Sequence, residues 1–194
     1  MEAMAVLADA GVTERLRGVG GALFAAIKQH PNRQAIFGAL AGHKSDMIRG
    51  WAAFVLSADP DPTLAQRLEG ARPFAADSSG AVRELAWDSF RPYLAVDLID
   101  GLRLLEPWVR DRDPNIRRCA VESARPRGVW TAHIEELKND PSLGSPLLEP
   151  VRSDPSRYVQ RAVGNWLNDA SKSRPEWARS VCALWTKESP TQET

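Results

Sequence analysis

"DPNIRRCAVESARPRG", residues 113–128, is the stretch on which the fold turns. Ile116, Cys119, Ala120 and Ser123 recur at the spacing of one buried helical stripe, and Asp113, three residues before Ile116, has the chemistry of an N-cap. The same arrangement appears in "SDMIRGWAAFVL" (45–56), "SGAVRELAWDSFRPYL" (79–94) and "DPSRYVQRAVGNWLND" (154–169). Aligning the aliphatic residue puts Ile48, Val82, Ile116 and Val159 in register, at intervals of 34, 34 and 43 residues. Arg49, Arg83, Arg117 and Gln160 follow them, and Ala52, Ala86, Ala120 and Val163 stand four residues on. A period of this length marks helix pairs stacked as a solenoid. Ser45 and Ser79 are the expected caps of the first two segments, and Asp154 followed by Pro155 that of the fourth. Further helical patterns lie around "GALFAAIKQH", "RQAIFGALAG", 94–109 and 174–185, and no alternating strand pattern bounded by hairpin signals occurs. The expectation is an all-α, HEAT-like helical repeat solenoid. It forms a single domain over 1–194, with repeat helices near 45–57, 79–91, 113–125 and 154–170 and a disordered tail at 187–194.

Composition narrows the possibilities. The hydrophobic share of 43% suits a packed globular core, and formal net charge is zero. Charge is nevertheless polarised along the chain. Residues 58–109 hold 5 Lys/Arg against 9 Asp/Glu, and residues 110–174 hold 12 against 9. Cys119 and Cys182 form no disulfide framework and no metal-ligand set, which fits a reducing cytoplasm. The opening residues lack a signal-peptide pattern, and no apolar run is long enough to cross a bilayer. "RGVGGALF" (17–24) follows no strand and lacks the Lys-Ser/Thr of a phosphate loop, and His30, His43 and His133 are isolated. No cofactor and no metal is expected.

At 100° per residue, positions +2, +6 and +9 from each key aliphatic share a second face. They are Gly50, Phe54, Ser57; then Glu84, Asp88, Arg91; then Arg118, Glu122, Arg125; then Arg161, Asn165, Asn168, with Asp169 at the edge. Regular stacking would bring Asp88, Glu122 and Asp169 into one concavity flanked by arginines. Arg118 with Glu122 and Glu122 with Arg125 also have the spacings of ordinary ion pairs on a helix surface, worth tenths of a kcal/mol. Trp166, at +7, and Trp51, at +3, read as core. Trp130 follows the turn "RPRGV" and suits either core or site.

The motifs over roughly residues 79–175 resemble the DNA alkylation repair glycosylases of the HEAT-like superfamily, in the AlkC branch and more distantly AlkD. That family carries an arginine-rich helix running into Ser-Glu-Gly-x-Arg-Pro-Arg-Leu-Pro-Trp, then a Tyr-Val-Arg-Arg-Ser-Val-Ala-Asn helix ending in Leu-Asn-Asp. Glu122, Arg125–Pro126–Arg127, Trp130, Tyr158–Val159, Asn165 and Leu167–Asn168–Asp169 stand at the same mutual spacings. The family's Ser-Glu-Phe ahead of an earlier Arg-Pro is here "WDSF", with Trp87 in the glutamate's place and Asp88 beside it, and its Val-Arg-Arg is "VQR".

The resemblance implies hydrolysis of the N-glycosidic bond of alkylated purines, chiefly 3-methyladenine, in duplex DNA. On that reading Glu122, Asp169 and Asp88 are the catalytic carboxylates, because a carboxylate near C1′ stabilises the developing sugar cation. Trp130 and Trp87 are stacking surfaces for the cationic purine. Arg118, Arg125, Arg127 and Arg161 are candidate phosphate ligands, followed by Arg83, Arg117 and Lys172. The expected partner is duplex DNA, and the protein is expected to be a monomer in the cytoplasm with no membrane involved. Two alternatives stay open: a DNA-binding member of the superfamily without catalysis, and a helical-repeat scaffold for a protein partner.

Overall fold

The computed structural model describes residues 11–128 and 131–188. All regular structure among them is helical. The α-helices are α1 (Val12–Ile27), α2 (Arg33–Ala41), α3 (Asp46–Ala58), α4 (Leu64–Ala75), α5 (Gly80–Val96), α6 (Leu98–Leu105), α7 (Pro114–Ser123), α8 (Glu135–Asn139), α9 (Ser145–Leu148), α10 (Arg157–Ser171) and α11 (Pro175–Glu188). Short 3-10 turns occupy Trp108–Arg110, Pro141–Gly144 and Glu149–Val151. The four repeat segments are α3, α5, α7 and α10, as the periodicity requires. The pattern at 94–109 is broken into the end of α5, α6 and a 3-10 turn. Helix α11 continues to Glu188, two residues into the stretch expected to be a disordered tail, and 189–194 lie outside the described residues. The contacts cluster into two compact units, Met1–Tyr93 and Leu94–Thr194.

In the first unit α3 is the central helix, packed against α1, α2 and α4. Gly20 is buried in α1 because a Cβ there would sit 2.5 Å from Phe54 Cβ and 2.6 Å from its backbone carbon. The two helices thus cross at a distance that only glycine permits. The consecutive residues Ala52, Ala53, Phe54 and Val55 of α3 are all buried, so this helix is covered on nearly every side. In the second unit α7 and α10 pack together, flanked by the Trp108–Arg110 turn and α11. Ile116, Cys119, Ala120 and Ser123 are all buried, and so are Val159, Ala162, Val163 and Trp166. Trp166 is a core residue as expected, and its indole N–H donates to the Ala124 carbonyl at 2.8 Å. Trp51 is only half-buried.

The polar residue after each key aliphatic has a structural task that its periodicity did not disclose. The residue five positions before the aliphatic opens a turn by accepting a backbone N–H two residues on. Asp77 takes that of Ser79, Asp111 that of Asp113, Asp154 that of Ser156, and the His43 Nδ1 that of Ser45. Arg49, Arg83, Arg117 and Gln160 then reach back and donate to the carbonyl of that same residue, at 2.8, 2.6, 2.8 and 2.7 Å. Arg49 also forks the Asp77 carboxylate at 2.7 and 2.9 Å, and Arg117 forks Asp154 at 2.6 and 2.8 Å. Each fork ties the turn of one repeat to that of the next. Arg83 and Arg117, expected as phosphate ligands, therefore have their guanidiniums on loop carbonyls. Asp154 is a turn residue and not the helix cap: α10 begins at Arg157, with Ser156 at the cap position.

Candidate functional site

The face formed by positions +2, +6 and +9 is largely closed over. Phe54, Asp88 and Glu122, all at +6, are buried, and only Asn165 of that set is exposed. The reason is that within each unit a neighbouring helix covers it. In the first unit α1 lies over Phe54, and in the second α10 lies over α7.

In the second unit Glu122 and Asp169 converge on one cation. Both residues are 2% exposed. The Arg125 Nη1 donates to Glu122 Oε2 at 3.0 Å. Its Nε and Nη2 lie 2.8 and 2.7 Å from Asp169 Oδ2. Burial opposes the charge on Arg125, but the two carboxylates outweigh it and hold the guanidinium pKa above its ordinary value. Two further cations stand at greater distance: Arg118 Nη2 is 3.3 Å from Glu122 Oε1, and Lys172 Nζ is 3.3 Å from Asp169 Oδ1. The Arg118 contact is one of charge alone, since the buried Oε1 has no hydrogen-bond partner. The Arg118 guanidinium also lies over the Tyr158 ring, 4.2 Å from its centroid.

Local sequence explains the convergence. Arg125 follows the last turn of α7, three residues after Glu122, so one helix brings the acid and its fork together. Asp169 sits in the last turn of α10, on the side packed against α7. Pro126 ends the helical ladder, and its carbonyl accepts the Ile134 N–H, closing the loop that follows.

The remaining residues singled out in the sequence have different settings. Arg127 donates to the Ser173 hydroxyl at 2.7 Å, and Arg161 is exposed on α10. Trp130 lies outside the described residues. Trp87, read as a stacking surface, is buried in the core of α5, with its indole N–H on Glu84 at 3.2 Å. Asp88 belongs to the first unit, where it meets Arg17. Proline at position 92 has no N–H to offer the Asp88 carbonyl four residues earlier. Arg17 Nη2 supplies the missing donor at 2.9 Å and contacts Asp88 Oδ1 at 3.1 Å. Burial pushes the Asp88 carboxyl pKa above its ordinary value, although Arg17 and Thr13 pull it the other way. Arg17 carried no signal in the repeat pattern, because α1 precedes the first recognisable segment. A small cavity of about 190 Å³ adjoins it, lined by Arg17, Phe54, Ser57, Ala58 and Tyr93. Among the described residues no group of three or more His, Cys, Asp or Glu side chains is placed to hold a metal ion, and no helix is long and apolar enough to cross a membrane.

Comparison with known proteins adds a family. A family model described as "DNA alkylation repair enzyme" matches residues 61–183. The uncharacterized protein YhaZ of Bacillus subtilis (strain 168) is 40% identical over 95 residues, which is 49% of this chain and 27% of that protein. Among solved structures, the alkylpurine DNA glycosylase AlkC of Pseudomonas fluorescens, bound to DNA containing an abasic site analog, matches with a TM-score of 0.80 and 26% identity. That match covers 97% of this chain and 52% of AlkC, so the chain spans about half the length of that structure and about a quarter of YhaZ. AlkD2 of Streptococcus mutans matches with a TM-score of 0.69 over 95% of this chain and 86% of its own, and at 21% identity it supports the fold alone.

Proposed function

The chain belongs to the DNA alkylation repair enzyme family, and on that premise we propose that it is a DNA glycosylase hydrolysing the N-glycosidic bond of N-alkylated purines, such as 3-methyladenine, in duplex DNA. The observation that carries the proposal is the meeting of Glu122 and Asp169 on Arg125, inside the matched region. Similarity to a protein named as an alkylpurine DNA glycosylase, over nearly the whole chain, supports it.

The chemistry asks for little more than these groups. Alkylation leaves the purine cationic and already a good leaving group, so breaking its bond to C1′ moves positive charge onto the sugar. A fixed carboxylate facing C1′ stabilises that charge and orients the attacking water. Arg125 sets a fixed positive charge against both buried acids. The 3.3 Å contacts of Arg118 and Lys172 are longer than the 2.7–3.0 Å contacts of Arg125. They are the ones that DNA phosphates would exchange with, exposing the acids as the backbone docks. Arg118, Arg127, Arg161 and Lys172 make up the proposed phosphate set, with Trp130 as a stacking surface. The protein would act as a monomer in the compartment that holds the DNA, the cytoplasm.

The test is release of free base from methylated duplex DNA, followed by chromatography at enzyme excess. Release no faster than spontaneous loss refutes the proposal. Glu122→Gln, which keeps size and removes charge, should abolish most of the activity, and full activity in that variant would leave Glu122 a structural residue only. A second reading is a DNA-binding member of the family without catalysis. It is favoured by the closure of both acids in ion pairs and by Trp87 being packed in the core where relatives carry an acid. Salt-dependent duplex binding without base release would select it.

A further inference from the structure

Helix α10 is exposed at Arg157, Gln160, Arg161, Gly164, Asn165 and Asn168. At 100° per residue these positions share one contiguous face, about 140° wide. The face holds two cations, three carboxamides and a glycine, with no acid and no apolar side chain. Asp169, the acid of this helix, is buried at its edge. Gln160 is taken by the Asp154 carbonyl. Among the described residues neither Arg157 nor Arg161 makes an ion pair.

Gly164 stands in the middle of this face, and the packing of the fold does not require it. A Cβ added there meets nothing within 4 Å, whereas one at Gly20 or Gly144 would collide with Phe54 or Trp166. A glycine inside a helix is less stable than an alanine would be. Openness alone is no sign of function, since Gly21 and Gly38 are equally open on α1 and α2. Gly164 differs in its neighbours. Arg161 lies about one turn before it, Asn165 beside it and Asn168 about one turn after it. The bare backbone is therefore a low point between cations and carboxamides. Cations favour an anionic occupant, carboxamides can donate to phosphate oxygens, and the missing side chain lets a strand approach the helix closely.

We propose that the exposed face of α10 is a bed for the sugar–phosphate backbone of one DNA strand, with Gly164 as its point of closest approach. Arg157 and Arg161 take the phosphates, and Asn165 and Asn168 donate to them. The inference rests on the reading of the protein as a DNA repair enzyme, and it adds Arg157, Gly164 and the two asparagines to the contacts proposed above. From Arg157 to Asn168 the face runs about 16 Å at 1.5 Å per residue, long enough for several nucleotides. Its far end adjoins Asp169, so a strand lying along it is led to the acids.

The experiment measures affinity for an unmodified duplex at low and at moderate salt, with the melting temperature of each variant read alongside. Gly164→Gln adds a neutral side chain of good helix propensity where the fold has room. Its melting temperature should rise by roughly 2–4 °C, while its affinity should fall on the order of tenfold. Gly164→Ala adds only a methyl group, so it should gain similar stability and bind within about threefold of wild type. Opposite signs in stability and affinity distinguish a blocked approach from a damaged fold. Arg157→Gln should leave the melting temperature unchanged and reduce the salt slope by about one phosphate contact. Wild-type affinity in Gly164→Gln, or an unchanged salt slope in Arg157→Gln, overturns the proposal. Base release is assayed separately: wild-type protein that binds duplex but releases no base refutes the glycosylase reading, and the variant affinities still decide this proposal. Wild-type protein that binds no duplex at low salt overturns both.

Discussion

Arg125→Met removes the cation that two buried acids share and keeps most of the apolar stem. The wild-type guanidinium makes one contact to Glu122, at 3.0 Å, and two to Asp169, at 2.7 and 2.8 Å. Arg118 stays 3.3 Å from Glu122 and Lys172 3.3 Å from Asp169, both farther than the contacts that are lost. Breaking a buried ion pair by deleting one partner costs about 3–5 kcal/mol, and here one deletion strands two carboxylates. The expected loss is at the top of that range, about 5 kcal/mol, comparable to the whole stability of a modest domain at about 5–15 kcal/mol. Guanidinium denaturation followed by circular dichroism measures it. The triple variant Arg125→Met, Glu122→Gln, Asp169→Asn, with no stranded charge, should recover much of the loss. A deficit below about 1 kcal/mol in Arg125→Met, or a triple variant no more stable than that single one, refutes the reasoning.

Other outcomes follow from the same geometry. Arg117→Ala should cost about 3 kcal/mol by stranding the buried Asp154 carboxylate, while folded protein retains duplex affinity, since this guanidinium ties repeat turns; denaturation and binding isotherms separate the two effects. Gly144→Ala should destabilise by about 1–3 kcal/mol, because the new Cβ would stand 2.3 Å from Cζ2 of the fully buried Trp166, and thermal unfolding reads the change. Asp154 and Asp88 titrate in opposite senses. Burial opposes ionisation of Asp154, but Arg117 and the Ser156 N–H outweigh it and depress its pKa, so its contribution is complete above the ordinary carboxylate value and is lost as pH falls through the depressed one. Burial raises the Asp88 pKa, so its contribution is complete below the ordinary value and is lost as pH rises through the raised one. Melting temperature across pH should accordingly show a flatter acid limb in Asp154→Asn, and in Asp88→Asn a smaller loss as pH climbs through the carboxylate range.

Much of the architecture was legible because helices announce themselves through local spacing. The four aliphatic positions 48, 82, 116 and 159 mark α3, α5, α7 and α10, and the stripes predicted from them in α7 and α10 are buried. The site was legible in part. Glu122 and Asp169 stood out by register and by resemblance, as acids expected with Asp88 in an open concavity, whereas the structure has these two buried on Arg125. Their burial was not legible, because period counting locates a face on a helix without saying whether another helix covers it. Arg17 was invisible for a related reason: it answers a carbonyl that Pro92 leaves without a donor, 71 residues away in the chain.

By itself, then, the sequence determined the helices and their repeat, since both depend on interactions within a few turns of one another. Tertiary structure decided which arginine serves which acid. Arg83 and Arg117 went to turn carbonyls, Arg125 to the paired carboxylates and Arg118 to the Tyr158 ring. A guanidinium on a long flexible stem can reach several acceptors, and only the packing of one helix on the next fixes which of them is close enough to desolvate and bind it.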